Sequence, residues 1–558
     1  MSLIRKRTNF ISGTIGGAGL TDVGTTLTSS MLASLGDVSA PDIYPIILDP
    51  TKSAGEPEIV WVTAHTSGGG TATITRGREE STARAHAAGV TCIHGPTKFD
   101  WYDMRLDVDP RWYGYKPDGN TASATTNTTA LQTATVFAAL GVSWNFSPVN
   151  YDRPLLVALP PGVGYFNGEI GVYDASGIVG QGAETTKLID TRAGATVGWT
   201  VDTASTTSIT VTSGSPTSAH VGLFISGSGI PQYAYITAVS GATVTISEAA
   251  TATASGVAAT VKTIVSMSLH GADAGSNRID GYRLEGFTLD ASGGTPNNRT
   301  GISFRNAAKG RVTDVNVWNM GVAYKGHNWW DSTVRDCRAE YCGTTDTSAL
   351  PALFLPASSA DATDCNSLAF DHFTAENCYH DVAIYGASRR PNKIEFGQRC
   401  KFETSLVRST RMLIHKASDV TVGSGTDFSI GEFDAGYATP CDAIEVRYSN
   451  GTHIGAVEVE QKAGVAAATV RHGLYLSGGN TGVSGGPVRM NNGGGNPAMT
   501  GQPIAYATTY GTNDDLDPNL THLWEEDGAS AEGSVTTSPS SRMRGNPGRR
   551  LYLAESCT

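Results

Sequence analysis

The feature that most constrains this chain is a repeat regular in side-chain parity and irregular in length. Phe287-Thr288-Leu289-Asp290 aligns with Val315-Asn316-Val317-Trp318, Cys337-Arg338-Ala339-Glu340 and Phe373-Thr374-Ala375-Glu376, at offsets of 28, 22 and 36 residues. A second series, Gly301-Ile302-Ser303-Phe304, Gly321-Val322-Ala323-Tyr324 and Asp381-Val382-Ala383-Ile384, marks another face. Ile444-Glu445-Val446 returns 30 residues later as Leu474-Tyr475-Leu476. Alternation of apolar and polar positions is the period of a strand with one buried face. Short strands recurring at roughly 20 to 50 residues specify a solenoid, because one repeat alone cannot bury its apolar face.

Composition agrees. Gly is 66 of 558 residues and charged residues are 16%, against about 25% in ordinary globular chains, which excludes a charge-laced helical bundle. The 39% hydrophobic content is too high for disorder, and it comes in short pieces split by Gly, Asn, Ser and Thr. The expectation is an all-β parallel β-helix in which equivalent residues stack at about 4.8 Å. Phe287, Leu289, Val315, Val317, Cys337, Ala339, Phe373 and Ala375 should point inward, with Met320, Cys342 and Cys378 as another inward column. Roughly nine coils fit into residues 267–500, a stack about 45 Å long.

The pattern divides the chain into residues 1–108, a β-rich unit; 109–192, opened by Asp109-Pro110 and holding a helix over Thr129–Leu140 beside the first coils; 193–266, a Thr/Ser/Ala/Gly/Val-rich inserted β-domain; 267–500, the main stack; and 501–558, a C-terminal segment. Net charge is −12, which argues against a general grip on nucleic acid or anionic lipid. No apolar run is long enough to span a bilayer, and the basic start Met1-Ser2-Leu3-Ile4-Arg5-Lys6-Arg7 lacks a following apolar stretch, so a soluble, unprocessed product is expected. Eight Cys without a CxxC pair read as reduced core residues, and a stacked Cys342 and Cys378 as packed thiols within possible disulfide reach.

Parity places Asp290, Trp318, Glu340 and Glu376 in one outward column. Glu340 and Glu376, one coil apart, would stand about 5 Å from each other, the separation of carboxyl pairs in retaining glycosidases. Asp290 would lie about 10 Å from Glu340. An exposed Trp among acids can stack on a sugar ring, and crowding raises a carboxyl pKa. The plainer reading is a solvated acidic face, or carboxylates paired with Arg338 or Arg335. His327-Asn328-Trp329-Trp330-Asp331 reads as an inter-coil loop whose His327, Trp329 and Trp330 serve either as glycan contacts or as a subunit contact or a cap over an exposed coil edge. His86, Cys92 and His94 are Zn²⁺-capable types without an apparent fourth ligand, and structural histidines are the stronger reading. Gly13-Thr14-Ile15-Gly16-Gly17-Ala18-Gly19 lacks the Lys-Ser/Thr of a phosphate loop, and no Ser-His-Asp signature emerges. No metal site or cofactor is expected. Asn513-Asp514-Asp515-Leu516-Asp517 and Asp527-Gly528 read as solvated turns, and Arg542, Arg544, Arg549 and Arg550 as a basic end.

Tyr115-Lys116-Pro117-Asp118-Gly119-Asn120, the helix, Leu159-Pro160-Pro161-Gly162, Ile178-Val179-Gly180-Gln181-Gly182-Ala183 and Thr186-Lys187-Leu188-Ile189 occur in an order that resembles the opening of pectin-lyase-like right-handed β-helices of bacteriophage tailspikes and minor tail proteins. Glu58-Ile59-Val60-Trp61-Val62-Thr63-Ala64-His65 with Arg76-Gly77-Arg78-Glu79 and Ala85-His86 is similar to the attachment domains of siphophage minor tail proteins. Gly227-Ser228-Gly229-Ile230-Pro231 is similar to small modules of phage structural proteins. The resemblance implies a homotrimer in the virion tail, exposed outside the cell after synthesis in the host cytoplasm. Its N-terminal unit would join other tail-tip or baseplate proteins, and its β-helix would bind a host surface polysaccharide. The favoured function is non-enzymatic adsorption. The alternative is a depolymerase, a polysaccharide lyase or glycoside hydrolase; a pectate-lyase-type Ca²⁺ site is matched only loosely by Asp314, Asp336 and Arg338.

Overall fold

The computed structural model describes residues 4–5, 11–39, 42–95 except 54 and 80, 107–140, 156–491 with interruptions, 504–506 and 522–525; the longer interruptions are 271–278, 292–298, 344–349, 358–363, 434–440 and 462–469. The acidic turns and arginines noted beyond residue 512 lie outside the described residues. The chain divides into two compact units, Met1–Leu106 and Asp107–Thr558.

In the first unit, Asp42–Leu48, Glu58–Ala64 and Thr71–Arg78 form an antiparallel meander extended by Thr91–His94, Ile11–Thr14 and Thr26–Thr28. Leu27, Leu32, Ile46, Leu48, Val60 and Val62 make its core. Glu58 is buried at its edge, where the Arg76 guanidinium, the Gly77 and Arg84 amides and the His86 ring all bond its carboxylate.

The second unit is a right-handed parallel β-helix with three stacks of strands. Phe287 pairs with Val315, Val317 with Ala339 and Ala339 with Ala375, and all of these are buried. Ile444 pairs with Leu474 and Val446 with Leu476. The strand Val322–Arg335 pairs Tyr324 with Ile302 below and Leu353 above, and Leu353 pairs with Val382. The sequence alignment of this second face, Ile302 with Val322, was therefore two residues out of register. A two-residue slip preserves which side chains face inward, so alternation alone cannot detect it.

One corner recurs through eight coils. Gly281, Lys309, Asp331, Ser367, Lys393, Asp419, Gly451 and Gly482 all have φ between 45° and 74°, and the flanking registers stack them in one column. A left-handed residue turns the strand without breaking the ladder, and five of these positions hold side chains that tolerate it only at a conformational cost.

The helix spans Ala124–Leu140, starting earlier than the sequence suggested because Asn120 caps a short 3₁₀ turn that runs directly into it. It buries Ala130, Leu131, Ala134 and Ala138 against the first coils, including Phe166 and Ile170. The strands between Thr196 and Lys262 form a six-stranded antiparallel sheet with its own core around Trp199, Val201, Ile236 and Val261. This sheet sits on the β-helix wall: Phe224, Tyr233 and Tyr235 cover Val322, Phe354, Ala383 and Leu413. His380 Nε2 lies 3.0 Å from the Val382 carbonyl and so carries the proton, leaving Nδ1 to accept from the Tyr233 hydroxyl at 2.9 Å. The Lys325 ammonium lies 4.3 Å from the Phe224 ring centroid and bonds the Gly222 carbonyl.

Candidate functional site

The outward column exists as a continuous ladder. Asp290 pairs with Trp318, Trp318 with Glu340, Glu340 with Glu376 and Glu376 with Glu403. Adjacent members are one inter-strand step apart, about 4.8 Å at the backbone. The strands Arg311–Trp318, Arg338–Glu340 and Thr374–Glu376 hold these side chains outward because Val317, Ala339 and Ala375, one position earlier, are locked inside.

The members differ in environment. Asp290 is buried, and its carboxylate accepts from Asn319 Nδ2 at 2.8 Å. Trp318 is half-buried, with the Lys187 ammonium 4.9 Å from its ring centroid and its indole N–H without a partner among the described residues. Arg338, two positions before Glu340, bonds the Glu376 carboxylate and stands 3.5 Å from that of Glu340. Burial pushes the Glu340 carboxyl above the usual range; Arg338 opposes this, while Glu376 and Glu184 act in the same direction as burial. Glu184 escaped the sequence reading because it comes from the loop after Gly177–Val179. That loop is clamped to the column by Asp314 accepting from the Ala183 amide at 3.0 Å and by Thr288 donating to the Ala183 carbonyl at 2.6 Å. The acidic column also continues to Glu403, which pairs with Lys401. The parity of Phe402-Glu403 carried that signal.

Two expected glycan contacts need correction. The segment 327–331 is not a loop but part of the strand Val322–Arg335, which bends at Asn328 and Asp331, both left-handed. These bends upset simple alternation and turn Trp329 into the core. There its ring stacks on Phe304 at 3.9 Å and its indole donates to the Tyr282 hydroxyl at 2.6 Å. His327 is buried beside Tyr235, and burial pushes its pKa down to about 3. Neither side chain is available to a polysaccharide. Trp330 remains half-buried, on the rung between Ala308 and Asn366, away from the acidic column.

His86, Cys92 and His94 do not converge. His86 bonds Glu58, His94 Nδ1 donates to the Pro45 carbonyl at 2.7 Å, and Cys92 faces Ser29 and Met31. Asp314 serves the Ala183 amide, and Asp336 bonds the His372 ring at 2.9 Å. Cys342 and Cys378 are buried, form no disulfide and hydrogen-bond each other through their side chains.

No family model and no curated protein matches the chain. Among solved structures, it is similar to ORF18 of Geobacillus virus E2, with 14% identity over 82% of this chain and 68% of that one and a TM-score of 0.45. It is also similar to the Azotobacter vinelandii mannuronan C-5 epimerase AlgE4 A-module, with 12% identity over 79% and 100% of the two chains and a TM-score of 0.37. A third is the gp42 tailspike of Acinetobacter phage vb_AbaP_AS12, with 10% identity over 82% and 67% and a TM-score of 0.39.

Proposed function

We propose that the chain is a phage tail spike or fibre that binds a host surface polysaccharide during adsorption, working as a homotrimer joined to the tail through its N-terminal unit. The observation that carries this reading is the Trp318–Glu340–Glu376 column on a rigid stack of coils. Its residues are held at fixed spacing, so little ordering cost remains when a repeating polymer lies along them. Three copies amplify a weak contact through avidity. The test is retention of purified chain on immobilised host-envelope polysaccharide, with solution mass measured by light scattering. Retention and a mass three times that of one chain are the expected results; a monomer that no host polysaccharide retains overturns the proposal.

The second reading, a depolymerase, is favoured by one contrast. Glu340 is pushed toward its protonated form, while the neighbouring Glu376 carries the Arg338 ion pair. A carboxyl pushed toward its acid form, one rung (about 4.8 Å at the backbone) from a salt-bridged carboxylate, is the kind of pair with which a retaining glycosidase protonates the leaving oxygen and attacks the anomeric carbon. Reducing ends or unsaturated products that vanish in Glu340→Gln and Glu376→Gln, with binding kept, would select this reading.

A further inference from the structure

The acidic ladder does not stop at Glu403. The next rungs pair Glu403 with Ser429 and Ser429 with Glu460, and a parallel column two residues earlier runs from Arg338 through Thr374, Lys401 and Asp427 to Glu458. Phe402, Phe428 and Val459, between the two columns, are buried, so the charged side chains on either side of them share one outward face. From Glu340 to Glu460 that face covers four inter-strand steps, about 19 Å.

Its charge is unevenly compensated. Arg338 is engaged by Glu376 and Glu340, and Lys401 by Glu403. Asp427, Glu458 and Glu460 have no hydrogen bond or ion pair among the described residues, and the next cation of the face, Arg489, stands on the rung beyond Glu458. Burial pushes the Asp427 carboxyl up; Lys401 opposes this, while Glu458, Glu460 and Glu403 act in the same direction as burial. Glu340, raised by burial with Glu376 acting the same way, lies three rungs away on the same face. Two separated acids thus register one negative field.

A stacked ladder cannot spread that field by rearranging. Its rungs keep a spacing of about 4.8 Å, inside the Debye length of about 10 Å at 0.1 M salt. A polymer with a carboxylate on each unit would set like charges against like charges along the whole contact, and each such juxtaposition opposes binding. Uncharged units, or units with free amino groups, meet no such opposition. We propose that this face admits polysaccharides without acidic substituents and excludes polyanionic ones. The assignment rests on the reading of the chain as a glycan binder and names the substrate class of that same site.

The test separates host-envelope polysaccharide by anion exchange into neutral and acidic pools and carboxyl-reduces part of the acidic pool, which turns each uronate into a neutral sugar and keeps the backbone. Affinity of the full chain for each pool is measured at low and high salt. At about 0.01 M salt the neutral pool is expected to bind roughly tenfold or more tightly than the acidic one, with carboxyl reduction recovering affinity. The gap should close at about 1 M salt, where the Debye length of about 3 Å is shorter than one rung. The double variant Glu458→Gln with Glu460→Gln should narrow the low-salt gap about threefold or more, its melting temperature checking that the fold is kept. An acidic pool bound at low salt as tightly as the neutral one, or more tightly, overturns the charge selection and leaves the adsorption reading standing. A gap that the double variant leaves intact overturns it as well. Retention of no pool at either salt removes the adsorption reading, and this inference with it.

Discussion

The Arg338 guanidinium bonds the carboxylate of Glu376, on the next coil, and stands further from Glu340, on its own strand. The registers place Arg338 beneath Thr374 and Glu340 beneath Glu376, so this ion pair runs diagonally across one rung. It leaves Glu340 the less compensated acid of the two.

From that asymmetry, Glu340→Gln should stabilise the protein slightly at pH 7 and leave it unchanged at pH 4. A raised carboxyl binds more protons folded than unfolded. Stability therefore declines as pH rises from the unfolded value of 4.5 through the higher folded one, and Gln removes that decline. The difference should be under about 1 kcal/mol. Urea denaturation at the two pH values measures it, and a larger loss at pH 7 would contradict the assignment.

Trp329→Ala should cost about 3 to 5 kcal/mol, as expected when a buried aromatic ring leaves a cavity beside Phe304 and Tyr282. Trp329→Phe keeps the stack but removes the indole donor to the Tyr282 hydroxyl, which retains Ser332, for about 0.5 to 1.5 kcal/mol. Polysaccharide retention per folded molecule should be unaffected in both, which separates a core residue from a contact residue.

His415 predicts acid sensitivity. Its ring stacks on Tyr385 at 4.7 Å, faces Tyr448, and is pushed down to about 4 by burial, with Lys416 and Arg447 acting the same way. Between pH 6.5 and 4 the unfolded chain binds the extra proton, so stability falls as pH drops through that window, by roughly 3 kcal/mol for this residue. His415→Phe should reduce the dependence by that amount while keeping the stack, the remainder coming from His327. Unfolding midpoints from pH 7 to 4 supply the comparison.

Glu58→Gln should destabilise the N-terminal unit by about 3 to 5 kcal/mol, because Arg76 is left nearly buried with its charge uncompensated. Burial alone would raise the Glu58 carboxyl, but hydrogen bonds from Arg76, Gly77, His86 and Arg84 outweigh it and hold it low. Its contribution is present above the unfolded value of 4.5 and is lost as pH falls through the lower folded one. Amide exchange in Glu58–Ala64 and Thr71–Arg78 should accelerate in the variant.

The β-helix was legible because Phe287, Val315, Cys337 and Phe373 repeat one short-range rule, alternation, and stacking converts it into columns. Asp290, Trp318, Glu340 and Glu376 followed from that rule directly. What it could not carry was anything decided at a corner. Trp329 was misplaced because Asn328 and Asp331 bend the strand on either side of it, and Tyr324 was mistaken in register because a shift of two leaves parity intact. Glu184 was missed for another reason: a loop more than 150 residues earlier in the chain reaches Glu340 only after folding.

The left-handed corner that runs from Gly281 to Gly482 makes every winding interchangeable in outline while leaving its loops free to differ. Reach along the axis is thereby counted in whole turns, about 4.8 Å at a time. A lineage can lengthen or shorten the rod by duplicating or losing one such unit, and redecorate its sides, without renegotiating the interior.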